Sequence, residues 1–435
     1  MRAFLASSIG VTCAAALALP LSLPSHATPS TTSTTTATQD ALAGSTQSLP
    51  LTPPTATPRA TPHLPQRDVR PFSLVGVVWD DPSAELHGRV QVRTRATGTS
   101  TWSAWQTLET HTDDAPDPDA PERAAGHTHG STAPLWVGDS DGVEVRVEDE
   151  TPAKTRTTLT EPLPTGLRLD LVDPGPEPAQ PTPTTPTASA PQTNTPPKAQ
   201  TPTPETPQTP APEDTPTPTT PTTPTTPKAP QTTTHTAPRP EIITRKGWGA
   251  DEKLREKKLG YTKTVKVAFV HHSATGNNYT CAQAPSVIRS IYRYHVKSSG
   301  WRDIGYNFLV DKCGRIYEGR AGGVTKPVMG AHTLGFNSNS TGIAVLGSYD
   351  SATPPAAVST ALAKLTAWKL GLSGANPAGT TSLKSGGGNL YAKGKNVRLH
   401  VISGHRDGYA TECPGSRLYK KLGTVRGSAA RLQGR

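Results

Sequence analysis

The chain has 435 residues, room for two or three domains, yet 46 prolines, 33% hydrophobic residues and only 5% aromatics exclude one large core. Its formal charge of +10 hides an asymmetry. Residues 241–435 carry 29 Lys and Arg against 10 Asp and Glu, a net of +19, whereas residues 70–172 carry 9 against 17, a net of −8. A basic half of this kind concentrates on an anionic polymer by long-range steering, or serves solubility alone.

Arg2, an apolar run through Leu23 and then Ser25-His26-Ala27 read as a secretory signal over residues 1–27. Pro20 and Pro24 interrupt the run, which falls short of the roughly 20 apolar residues that a membrane span needs. No later segment is apolar enough, so no transmembrane anchor is expected and the product should be secreted. Outside the cell the basic half meets anionic wall polymers before nucleic acid, and nucleic acid is not an expected partner. Residues 28–67, rich in Thr, Ser and Pro, are expected to be disordered.

Residues 68–172 change texture. Ser73–Trp79, Val90–Arg95, Thr101–Leu108 and Val143–Val147 have the β-branched content and partial alternation of half-buried strands, with Asp80-Asp81-Pro82, Thr97-Gly98 and Asp139–Gly142 as turns. An all-β accessory domain, most simply a sandwich, is the expectation. Its acidic, then His/Gly-rich insert, Asp113 to Ser131, reads as a mobile surface loop; His127 and His129 are potential metal donors there. Residues 173–240 are nearly all Pro, Thr, Ala and Gln, an extended spacer of polyproline II type.

From residue 241 onward strands alternate with helices, the pattern of a single-sheet α/β domain. Strands are expected at Lys266–Ser273, Gly342–Leu346 and Val397–Ile402, and a hairpin at Tyr306–Asp311 and Arg315–Glu318. Helices are expected at Ala284–Val296, Ala356–Leu370 and Ser416–Leu432. The first strand delivers His271 and His272, whose side chains point to opposite faces. His405 and Cys413 stand eight residues apart beyond the Val397 strand. Two imidazoles and a thiolate suit Zn²⁺, and three protein ligands leave a fourth position for water. Asp407 is a candidate for orienting a ligand histidine.

The words FVHHSATGNNYTC (269–281), GWRDIGYNFLVDKCGRIYEGR (300–320), GAHTLGFN (330–337), STGIAVLGSY (340–349) and SGHRDGYATECPG (403–415) resemble, in this order, the peptidoglycan recognition proteins and type 2 N-acetylmuramoyl-L-alanine amidases. The resemblance covers residues 241–435 and nothing before. It implies a mixed β-sheet flanked by helices, with a groove for the glycan-linked stem peptide of bacterial peptidoglycan. It also implies Zn²⁺ held by His271, His405 and Cys413, with His272 in packing or support. Tyr306 matches the tyrosine of amidase-active members, and Thr411 a position that assists the oxyanion. His332, His295 and Arg320 fall at substrate-binding positions. With Cys413 given to the metal, Cys281 and Cys313 form the candidate disulfide.

The implied activity is a secreted, cell-wall-associated zinc amidase cutting between N-acetylmuramic acid and L-alanine. Alternatives are a non-catalytic peptidoglycan-binding protein that uses the same groove, and a zinc endopeptidase cutting within the stem. No His-Glu-x-x-His helix or Gly-x-Ser-x-Gly elbow competes.

Overall fold

A computed structural model describes residues 44–51, 62–110, 114–148, 163–177 and 235–435. The expected signal segment, most of the stretch expected to be disordered and most of the expected Pro/Thr spacer lie outside the described residues.

The first sheet is antiparallel throughout. Its strands are β1 (Ser45–Pro50), β2 (His63–Trp79), β3 (Arg89–Ala96), β4 (Gln106–Leu108), β5 (Gly130–Ser131), β6 (Leu135–Glu148) and β7 (Arg168–Asp173), ordered β1-β7-β2-β6-β3-β4 with β5 also on β2. β1 lies inside the stretch expected to be disordered. Its Thr/Ser/Leu composition is weak alone, but six residues pair in register with β7, and ladder bonds to a distant strand supply what local pattern lacks. Only Gln106–Leu108 of the Thr101–Leu108 run is strand, with Trp102 in an isolated bridge to Arg95.

Alternation along β2 sorts two buried faces. Val75 and Val77 join Val90, Val92, Val145 and Leu171 in one core. Leu74 and Val78 point the other way, with Trp136 and Val172, into a cluster shared with the C-terminal domain.

That second face meets α2 (Ala284–Arg293); the short α1 (Pro121–Ala124) precedes it in the chain. Pro285 sits in the first turn of α2, where its missing N–H costs nothing. Val287, Ile288 and Ile291 recur at helical spacing and pack in the shared cluster. The helix then widens into a π-helical turn, Tyr294–Ser298. The Tyr294 hydroxyl donates to the carbonyls of Val77 (3.3 Å) and Thr132 (3.2 Å) across the seam. Gly76 permits this approach: a Cβ there would lie 2.3 Å from the Tyr294 oxygen. At about 1.5–3 kcal/mol per fully buried large apolar side chain, this seam is a substantial apolar interface.

The C-terminal domain is built on a mixed sheet. β8 (Val267–His272), β9 (Phe308–Val310), β10 (Ile316–Glu318), β11 (Ser340–Val345) and β14 (Ile402–Gly404) are ordered β10-β9-β11-β8-β14; only the β9–β10 hairpin is antiparallel. β12 (Thr380–Lys384) and β13 (Asn396–His400) form a separate antiparallel pair. The expected strand Val397–Ile402 is therefore two strands in two sheets. α3 (Ala356–Gly371) packs Val358, Leu362 and Leu365 against one sheet face, with Leu422 and Val425 of the C-terminal region. The expected final helix is likewise two, α4 (Ser416–Tyr419) and α5 (Leu422–Leu432).

Cys281 and Cys313 form a disulfide at a sequence separation of 32. It ties the approach to α2 to the β9–β10 turn. Chain entropy assigns such a loop roughly 3–4 kcal/mol. The Cys281→Ala/Cys313→Ala variant is expected to unfold in urea with a stability lower by that amount. A loss below about 1 kcal/mol would contradict the assignment of a constraining role.

Candidate metal centre

The sheet positions the site. β8 and β14 are parallel neighbours in register Gly404↔Val270, so the next residues, His271 and His405, leave the same carboxyl edge side by side. Their ring centroids are 4.5 Å apart. The carboxyl ends of parallel strands are where α/β sheets place ligands. Asp407 closes the turn that carries His405: its Oδ2 accepts from the Gly404 N–H at 2.8 Å and its Oδ1 from the Tyr419 hydroxyl at 2.6 Å. It therefore orients the backbone of His405 rather than an imidazole.

Cys413 returns on the following loop, its Sγ 3.8 Å from His271 Nδ1, and Thr411 Oγ1 accepts from the Cys413 N–H at 3.2 Å. One donor atom each from His271, His405 and Cys413 lies within 4.8 Å of the others, and all three side chains are buried. Both His405 nitrogens are buried without a hydrogen-bond partner, a costly arrangement for a polar ring. Burial pushes the His405 imidazole down to about 3 and the Cys413 thiol well above its ordinary value. The imidazole is thus in the neutral, ligating form, and the thiol ionises only beside a cation. The donor set fits zinc.

His271 is aligned from behind. Its Nε2 faces Thr333 Oγ1 at 3.4 Å, and Thr333 Oγ1 meets His332 Nδ1 at 3.0 Å. His332, expected along the groove, is instead fully buried with its ring 5.2 Å from that of His271. Gly342 leaves room for it, since a Cβ there would lie 2.3 Å from the His332 ring. His332 therefore reaches His271 through Thr333. His272 faces the other way: Nδ1 accepts from the Tyr349 N–H at 3.3 Å, and Nε2 is 3.2 Å from Glu109.

Tyr306 is buried with its ring 5.6 Å from that of His271. Burial first, and then the charge of Asp114, push its phenol well above the ordinary value, so at neutral pH it is a hydrogen donor. His295 stacks 4.3 Å from Trp301, and its Nδ1 accepts from the Gly305 N–H at 3.1 Å. Burial lowers it to about 3. Arg320 is buried and spans Glu122 with two bonds of 2.9 Å.

The expectation of a mobile surface loop is overturned for its described residues. Asp114 Oδ2 accepts from the Tyr306 hydroxyl at 2.6 Å, and Oδ1 lies 3.0 Å from His271 Nδ1 and 3.6 Å from His405 Nδ1. Burial opposes the Asp114 charge, but the flanking His271 and His405 hold its carboxyl below the usual range. Acidic, Pro-rich composition signals solvent exposure only when no basic partner is near; here the partner is about two hundred residues away in the chain. His127 and His129 belong to no metal-capable cluster among the described residues.

Two family models match the chain: residues 28–190 fit one described as Rv3811 N-terminal galactose-binding domain-like, and residues 261–416 fit N-acetylmuramoyl-L-alanine amidase. Peptidoglycan-recognition protein SC2 of Drosophila melanogaster is 33% identical over 183 residues, which cover 42% of this chain and 85% of the relative. Peptidoglycan recognition protein 1 of Bos indicus is 31% identical over 185 residues, covering 41% and 80%. The solved wild-type Drosophila PGRP-LB is 27% identical, covers 42% of this chain and 92% of its own, and superposes with a TM-score of 0.33. With its His/His/Cys cluster at the carboxyl edge of a mixed sheet, the chain belongs to the peptidoglycan recognition protein and type 2 amidase family.

Proposed function

We propose that the protein is a secreted zinc-dependent N-acetylmuramoyl-L-alanine amidase, which hydrolyses the amide between N-acetylmuramic acid and the L-alanine of bacterial peptidoglycan. The convergence of His271, His405 and Cys413, with unpartnered buried nitrogens beside a buried tyrosine hydroxyl, carries this reading. A protein that only binds wall has no use for two imidazoles and a thiol facing one point. A hydrolase domain of 241–435, a signal at 1–27 and a spacer after the accessory domain belong to the same proposal, while the accessory sheet begins at Ser45 rather than at the expected residue 68 and ends at Asp173. No helix among the described residues is long and apolar enough to cross a membrane.

His271, His405 and Cys413 would hold the zinc, which would supply a Lewis acid for the amide carbonyl and lower the pKa of a water molecule. The chain's own residues do the rest. The Tyr306 hydroxyl, held as a donor, faces the point where negative charge develops on the carbonyl oxygen. Thr333 and His332 fix the His271 ring, and Thr411 braces the Cys413 backbone. Water adds to the carbonyl carbon, the C–N bond breaks, and the products are a lactyl carboxylate and a free L-alanine amine.

Metal analysis of the purified full-length chain tests the site. One zinc per chain is expected, removable by a chelator and restored by Zn²⁺. A chain that folds but takes up no stoichiometric zinc would overturn the amidase reading.

A further inference from the structure

We propose that Asp114, carried by the accessory β domain, is a fourth ligand to the metal, and that segment 114–124 thereby holds the hydrolase in a latent form. This rests on the metal-site reading above. Asp114 Oδ1 is buried without a hydrogen-bond partner, as are both His405 nitrogens. A buried carboxylate oxygen 3.0 and 3.6 Å from two imidazole Nδ1 atoms, with neither contact in hydrogen-bond geometry, is an arrangement that a shared cation satisfies. Ligands at zinc bond lengths of about 2.0–2.3 Å stand roughly 3.3–3.8 Å apart in a tetrahedron; the His405 separation of 3.6 Å lies inside that range and the His271 separation of 3.0 Å just below it.

The other oxygen identifies what Asp114 imitates. Hydrolysis leaves a carboxylate on the lactyl group, whose two oxygens would face the metal donors and the tyrosine. Asp114 presents its two oxygens in this way, Oδ2 to the Tyr306 hydroxyl at 2.6 Å and Oδ1 to the imidazoles. With it in place, the cavity bounded by Asp114, His272, His295, Tyr306, His405 and Cys413 is about 20 Å³. That admits about one water molecule and no muropeptide.

The segment is held by specific polar contacts. Asp117 Oδ1 accepts from the Gly335 N–H (2.8 Å), the Asn337 N–H (3.3 Å) and Asn337 Nδ2 (2.7 Å), while Asn337 Nδ2 also donates to the Ala115 carbonyl at 2.8 Å. Glu122 takes the fork of Arg320 and the Arg302 N–H at 2.9 Å. A bidentate Arg–carboxylate pair of this kind is directional. Releasing the segment exchanges these polar partners for water or an anionic substrate. Undocking the whole domain would instead expose Leu74, Val78 and Trp136. The latch can therefore open while the seam stays closed, and turnover scales with the open fraction.

The test compares full-length wild type with Asp114→Ala, reading zinc affinity by competition with a chromophoric chelator and muropeptide release from purified wall. Loss of a ligand should weaken zinc binding at least tenfold, the lower end of what even a ligand's hydrogen-bond partner is worth. Release should rise at least tenfold, because the site is open. A catalytic Asp114 would lower both readings, and unchanged zinc affinity would overturn the ligand assignment. Unchanged or slower release, with wild type active, would overturn latency. Asp117→Ala, which touches no donor, is the second variant should Asp114→Ala fold poorly. Faster release with weaker zinc binding supports the proposal, and no change in either contradicts it. If zinc affinity falls in Asp114→Ala but neither wild type nor variants release product, the ligand stands and the amidase reading fails.

Discussion

Cys413→Ala in the full-length chain is expected to lose zinc and activity together. The thiol is buried, 3.8 Å from His271 Nδ1, and burial, with the charges of Asp114 and Glu109, holds it protonated. Only a cation at the same point makes the thiolate the stable form, so its ionisation and metal binding are one event. Removing it leaves two imidazoles and no negative ligand from the hydrolase domain. Affinity should fall by more than the 10–100-fold that loss of an outer hydrogen-bond partner costs, with muropeptide release below detection. The side chain is small, so the fold should persist, which circular dichroism and urea unfolding would check. Retention of stoichiometric zinc at wild-type affinity would show that Cys413 is packing rather than ligation.

Tyr306→Phe separates catalysis from binding. The Tyr306 ring packs beside His271 and His295, contacts that Phe keeps, while its hydroxyl donates to Asp114 across the domain seam. In wild type its removal would therefore loosen the latch and remove the donor at once, two effects of opposite sign. In the Asp114→Ala background only the second remains. There kcat should fall about 10²–10³-fold, the usual cost of one positioned donor to a developing oxyanion. Zinc content and pelleting with insoluble wall should be unchanged. A rate within about threefold of the parent would place the oxyanion donor elsewhere, since such a donor is worth far more.

What could be read from the sequence was whatever local pattern encodes. The apolar run before His271, the β9–β10 hairpin and the helical face of Val287, Ile288 and Ile291 all fall where periodicity puts them. The ligand words depended on resemblance, because residues 271, 405 and 413 meet only through the β8–β14 register, which no local pattern shows. The breaks at Val401 and after Tyr419 were hidden, because each continues a run whose composition suits one longer element. His332 was placed by resemblance in the groove, although Gly342 gives it a pocket behind the ligand.

Asp114 escaped for a different reason. Asp113 to Glu122 contains five carboxylates and three prolines, the composition of a solvated loop. The signal that pointed elsewhere was the charge contrast itself: a net −8 segment covalently joined to a net +19 domain. Complementary charge on one chain favours docking, and Glu122 on Arg320 and Asp119 on Lys393, three residues apart in the segment, are its local expression.

The most direct test is mass spectrometry of what the zinc-loaded full-length chain and its Asp114→Ala variant release from purified peptidoglycan. The account predicts stem peptides with new free L-alanine amino termini, glycan left with intact lactyl carboxylates, and faster release by the variant. If both proteins pellet with the wall yet neither generates L-alanine termini, or if cleavage falls within the stem, the amidase assignment is wrong.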